Sequence, residues 1–263
     1  MKRIRLGAVA YLNARPLVYG LDKRQDLFAV RFDPPSRCAV LLHEDAIDVG
    51  MIPVIEYCRG PEYRIVPGMA IISERTVASV ALFTKVPVEQ IRTIAADTSS
   101  RTSNGLLRIL CAERFGIRPE FQPMAPDPEA MFAACDAALI IGDPALYLDP
   151  AAYGVEKVDL GEQWADMTGL PFVWAFWAGR PGVVPPAAVR ALREARDAGV
   201  AASDEIAAAY CGPERAALGQ AYLRENIYYV MGDREIAGIR RYYELAARHG
   251  LIDAAREPQF YEE

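Results

Sequence analysis

The chain reads as an α/β protein of two lobes, each built on an open sheet, with a block of helices at its C-terminal end. Three observations predict this. Short apolar runs alternate with helical patterns three times in the first 60 residues, which argues for a parallel, doubly wound sheet whose strands are joined by helices. The alternation pauses at Lys85-Val86-Pro87 and then starts again, so a second sheet is expected. From Pro185 onward only helical, Ala-rich amphipathic patterns remain, and these should pack on the first lobe.

Residues 4–10 form the first apolar strand pattern, which Tyr11-Leu12-Asn13-Ala14-Arg15-Pro16 breaks before a short helix ended by Gly20. Tyr11 and Asn13 therefore belong to a loop at the carboxyl end of a strand, where open α/β sheets hold ligands; Asn13 also suits a helix cap. Residues 27–33 are a second strand, Pro34-Pro35 a turn and Ser36 the cap of a helix that carries His43 near its end. Residues 47–53 are a third strand, with Pro53 opening a helix over 54–59. Two β-rich runs follow at 65–74 and 76–84, and the chain is expected to cross near 83–87 into the second lobe. There, strands are expected at 93–96, around Phe121 and at 137–141, with helices over 101–115 and 129–134. Asp143, directly before Pro144, reads as a helix cap first and a ligand contact second. The aromatic run at 172–178 reads as a buried strand returning to the first lobe, so that residues 1–84 with 178–263 make one lobe and 85–177 the other.

The central stretch is Asp97-Thr98-Ser99-Ser100-Arg101-Thr102-Ser103-Asn104-Gly105, between an apolar strand pattern and the helical spacing of Leu106, Leu107, Ile109 and Leu110. A strand, tight loop and helix N-terminus make an anion cradle. The free N–H groups of the first turn, the positive end of the helix dipole, the hydroxyls of Ser99, Ser100, Thr102 and Ser103 and the guanidinium of Arg101 can converge on a carboxylate or phosphate. One cap needs one hydroxyl, whereas this segment supplies five.

Composition narrows the class of partner. With 52% hydrophobic and 24% charged residues, the 263-residue chain can bury a sizeable core. A net charge of −6 without a run of Lys or Arg argues against nucleic acid or an anionic membrane, and no apolar run is long enough to span a bilayer. Five cysteines lack C-x-x-C spacing and sit in apolar patterns, which fits reduced thiols in the cytoplasm. Two isolated histidines, His43 and His249, make no zinc signature, and no metal is expected. Arg5 breaks what would have to be the apolar core of a signal peptide.

Five motifs, in this order, resemble the chorismate dehydratases of the futalosine route to menaquinone. They are Tyr11-Leu12-Asn13 with Pro16-Leu17; Ile47-Asp48-Val49 with Ile52-Pro53-Val54-Ile55-Glu56-Tyr57; Asp97 to Ser103; Ile141-Gly142-Asp143 with Ala145-Leu146; and Asp159-Leu160-Gly161 with Trp164 and Thr168-Gly169-Leu170-Pro171. Ala10, where Ser is expected, and Arg15, where a small or polar residue is usual, depart from the pattern at the rim of the site. The resemblance implies a type II periplasmic-binding-protein-like fold and a hydro-lyase acting on chorismate without a cofactor. The alternatives are a cytoplasmic binder of a small carboxylate and the sister enzyme acting on cyclic dehypoxanthine futalosine. It further implies substrate contacts from Tyr11, Ser99, Arg101, Thr102, Ser103, Asp143, Thr168 and Gly169. Asn13 and Ser100 are the catalytic candidates; they would hold the substrate so that its own enolpyruvyl carboxylate removes the ring proton. Glu56, Asp97 and Asp143 are the alternative bases.

Overall fold

A computed structural model describes residues 3–262. Two mixed sheets form. The first contains β1 (Ile4–Val9), β2 (Phe28–Asp33), β3 (Val49–Pro53), β4 (Arg64–Ile65) and β5 (Ile71–Ser73). The second contains β6 (Val80–Thr84), β7 (Thr93–Asp97), β8 (Glu120–Met124), β9 (Ala137–Ile141) and β10 (Glu156–Asp159). A last strand, β11 (Phe172–Gly179), returns to the first sheet. The orders are β2-β1-β3-β11-β4, with β5 also on β11, and β10-β6-β9-β7-β8.

The two sheets share one plan. In each, three strands run parallel (β2-β1-β3 and β8-β7-β9), and an antiparallel strand follows beside the third, β11 in one and β6 in the other. The three strands of the first 60 residues are parallel as expected, and β11 and β6 add an antiparallel neighbour that the sequence pattern did not show. Sheet membership also puts Val80–Thr84 with the second body and Phe172–Gly179 with the first, the reverse of the boundaries at 84/85 and 177/178. Both runs are buried at every residue, and such a pattern reports burial without saying which sheet does the burying.

The first crossing, residues 74–79, holds a tight bend. Ala78 has φ 60°, a left-handed conformation that costs a residue with a Cβ about 1–2 kcal/mol. Neighbouring groups hold the bend: Asp159 accepts the N–H of Val77 at 3.1 Å and of Ala78 at 2.7 Å, and Lys157 donates to the Ala78 carbonyl at 2.6 Å.

Helix ends follow their local chemistry. Asp127 accepts the Ala130 N–H and Asp159 the Glu162 N–H, while Gly169 closes the helix Leu160–Thr168 with φ 71°. Ser36 does not cap: the helix Pro35–His43 starts two residues earlier than a Ser36 cap implies, because Pro35 needs no N–H partner in the first turn. Of the C-terminal helices, Asp233–Arg248 lies on β11 and also on the second body's helix Arg101–Glu113. Gly105 permits that approach, since a Cβ there would meet the Tyr242 hydroxyl at 2.5 Å. Among the described residues no helix is long and apolar enough to cross a membrane.

Candidate active site

The carboxyl ends of β1 and β7 face each other across a cleft. The loop after β1 brings Tyr11 and Asn13; the loop after β7 brings Ser100, Thr102 and Ser103. Trp174 closes one wall from β11, its indole N–H donating to Ser73 at 3.0 Å. The cavity measures about 60 Å³, far below the ~300–1,000 Å³ of a small-molecule pocket.

The helix Arg101–Glu113 aims its N-terminus at this space. Ser100 is its N-cap: its Oγ accepts the Ser103 N–H at 3.3 Å and donates to Ser103 Oγ at 2.7 Å. The N–H groups of Arg101 and Thr102 have no partner within the helix, as in any first turn. Asn104 clamps the loop from behind, donating to the carbonyls of Asp97 at 2.7 Å and Ser100 at 2.6 Å. Below them, Asp97 is 1% exposed, with Oδ1 accepting the Ser99 N–H at 2.7 Å and Oδ2 buried without a partner. Burial pushes its carboxyl above the ordinary value, against the pull of the Ser99 hydroxyl and N–H. Ser99 Oγ lies within electrostatic reach of Tyr11 and Asp97 yet makes no hydrogen bond of good geometry.

On the opposite side, Tyr11 lies over Gly142. A Cβ there would sit 3.1 Å from the ring, and Gly142 has φ 67°, so glycine is required for both reasons. Burial raises the Tyr11 hydroxyl, partly offset by Ser99. The Asn13 side chain is close to the buried Tyr222 hydroxyl, which shares a 2.7 Å hydrogen bond with Ser79, and the Asn13 carbonyl accepts from Tyr229 at 2.9 Å.

Other candidates take different places. Arg101 turns away from the cleft and donates to Glu56 Oε2 at 2.6 Å. Glu56, 1% exposed, also meets Arg59 at 3.0 Å and His43 Nε2 at 3.1 Å. Burial pushes its carboxyl up, but His43, Arg101 and Arg59 together bring it below the ordinary value, so it is held as a carboxylate. Asp143 is not an N-cap; it accepts the Leu12 N–H at 3.3 Å and the Tyr210 hydroxyl, joining the second sheet's body to the loop that carries Asn13. Thr168 and Gly169 do not line the cleft. They end a helix, with Thr168 donating to the Trp164 carbonyl at 2.9 Å and accepting the Leu170 N–H at 3.2 Å.

Sequence reasoning missed Trp174, Pro53 and Gly142 as cleft walls. Gly142 carried a signal, a glycine between an apolar strand and Asp-Pro; Trp174 carried none, because a buried aromatic strand reads as core.

Two strand-end loops facing each other between twin mixed sheets define a two-lobed binding-protein architecture. A protein of Archaeoglobus fulgidus superposes with a TM-score of 0.78 at 20% identity, covering 95% of this chain and 98% of that one. The alkanesulfonate-binding protein SsuA of Xanthomonas axonopodis pv. citri gives 0.69 at 18%, covering 95% and 94%. A Candida albicans protein described as having the generic periplasmic binding protein fold gives 0.67 at 11%, covering 100% and 99%. The fold is thus periplasmic-binding-protein-like. A family model described as menaquinone biosynthesis matches residues 4–248, and the chain belongs to that family. It is 32% identical over 221 residues to a chorismate dehydratase of Thermus thermophilus, covering 78% of this chain and 80% of that protein.

Proposed function

We propose that this protein is a chorismate dehydratase of menaquinone biosynthesis, converting chorismate to 3-[(1-carboxyvinyl)oxy]benzoate and water. The observation that carries the reading is the meeting of Tyr11, Asn13, Ser100 and Ser103 in one cleft, in a chain of this family. The reaction takes the ring C3 proton and the C4 hydroxyl, and aromatisation supplies the driving force. Chorismate has two carboxylates. One fits the helix N-terminus at Ser100, where N–H groups and hydroxyls already point. Holding the other over C3 makes proton removal intramolecular, and good orientation is worth several kcal/mol of the barrier.

On this reading Asn13 and Ser100 position the substrate, and its enolpyruvyl carboxylate is the base. Glu56 is occupied by three cationic or imidazole partners and Asp143 by two donors. Asp97 is the remaining acidic candidate. Arg101 acts through its pairing with Glu56, which holds the helix that carries Ser100, and Thr168 and Gly169 act by ending the helix Leu160–Thr168. All five cysteines are free, four of them buried, which fits a reducing, cytoplasmic setting.

The test is chelator-treated protein incubated with chorismate and followed by liquid chromatography. Conversion is expected without added metal or nucleotide; chorismate that persists unchanged overturns the reading. An analogue with the enolpyruvyl carboxylate replaced by an amide should stall in the same assay. Its brisk dehydration would make a protein group such as Asp97 the base.

A further inference from the structure

A second cavity, of about 830 Å³, lies outside the cleft, against the short helix Arg15–Val18, strand β2 and the helix Ser203–Cys211. Tyr19, Phe28, Phe32 and Tyr210 line it, with Phe32 48% and Tyr19 36% exposed. Apolar surface left open in this way costs roughly 25 cal/mol per Å² until something covers it. Among these rings sits the guanidinium of Arg15, 5.2 Å from the centre of Phe32 and 5.1 Å from that of Tyr210. Its Nε is buried without a hydrogen-bond partner, and among the described residues Arg15 forms no ion pair. The charged side chains on the walls are Arg3, Arg15 and Asp22, which leave one net positive charge.

These features select a ligand. A guanidinium held between two ring faces, its Nε buried, offers its two terminal NH2 groups to a bidentate carboxylate. A bare inorganic anion would satisfy Arg15 but leave Tyr19 and Phe32 uncovered, and a neutral aromatic would do the reverse. The volume lies within the ~300–1,000 Å³ of small-molecule sites. We propose that this cavity is a second binding site, for a small aromatic monocarboxylate, with Arg15 between Phe32 and Tyr210 as its anchor. Tyr210 separates it from the cleft machinery: its ring faces the cavity while its hydroxyl donates to Asp143.

Titration calorimetry with benzoate, benzamide and acetate tests it, together with the Arg15 Nε–H resonance, assigned by its loss in Arg15→Gln. Benzoate should bind and shift that resonance, with acetate and benzamide each weaker by about tenfold or more. Arg15→Gln should weaken benzoate by at least about tenfold, and Phe32→Ser, at a half-exposed position where folding is not at stake, by several-fold. Ser100→Ala should leave benzoate binding at this site unchanged. Four results overturn the proposal. They are no benzoate binding at millimolar concentration, benzoate affinity lost in Ser100→Ala alone, acetate binding as tightly as benzoate, or sedimentation showing a dimer that covers these rings and ignores benzoate. Should Arg15→Gln fail to fold, the Phe32→Ser titration and the wild-type resonance decide the matter.

Discussion

Ser100 and Arg101 are neighbours at one helix end, yet their surroundings are opposite. On the Ser100 side, polar atoms are buried and left over: Asp97 Oδ2, Ser99 Oγ and Asn104 Oδ1 have no hydrogen-bond partner. On the Arg101 side the balance closes, with the buried Glu56 carboxylate met by Arg101, Arg59 and His43, and His43 in turn by Tyr63 at 2.7 Å. Folding leaves few buried polar groups unpaired, so a cluster of them marks a surface prepared for something else. A satisfied ion cluster bridging the two sheets' bodies instead holds the helix in place, so that its N-terminus stays aimed. The lesson is that charge alone is a poor guide here: the cation in the motif pairs with Glu56, while the hydroxyl residues Ser100, Thr102 and Ser103 line the cleft.

The most direct way to break this contrast is on the cleft side. Ser100→Ala and Asn13→Ala should each lower kcat roughly a hundredfold or more, because a misaligned substrate loses the orientation term, while the lost N-cap in Ser100→Ala costs only about 1 kcal/mol of stability. Steady-state kinetics beside thermal melts check it. Glu56→Gln should do the opposite, costing about 2 kcal/mol in urea denaturation while kcat stays within a few-fold. That is less than a fully buried pair, because Arg101 and Arg59 remain 35% and 37% exposed.

Gly142→Ala sharpens the comparison, since it forces a Cβ into a left-handed site and against the Tyr11 ring. About 1–2 kcal/mol of stability should be lost, with KM raised more than kcat is lowered. The smallest effect concerns Asp97. Its raised carboxyl favours the protonated folded state, so its contribution to stability is present below the ordinary carboxylate range and lost as pH rises through the raised value. Asp97→Asn should therefore melt higher than wild type at neutral pH, an advantage that fades as the solution is acidified below that range.

Much of the arrangement was legible in the sequence, because alternation of apolar runs with helical spacing reports strand order directly. The three strands at 4–9, 28–33 and 49–53 and the loops after β1 and β7 were readable in this way. The return of β11 to the first sheet was readable too, but the sheet that receives β6 was not, since a fully buried run carries no mark of its partner. The direction of Arg101 was equally hidden, because it depends on Glu56, 45 residues earlier and in the other sheet's body. Thr168 and Gly169 misled for a simpler reason: a hydroxyl and a glycine suit a helix end as well as they suit a ligand.

The small volume of the cleft has a consequence for throughput. At about 60 Å³ it has room for roughly two waters at liquid density, so no ring-sized molecule enters or leaves while the halves stay together. A ring-sized substrate should therefore need the two bodies to part, and the chain passes between them twice, at the bend around Ala78 and between β10 and β11. Wherever that parting is slower than the elimination, turnover falls as solvent viscosity rises.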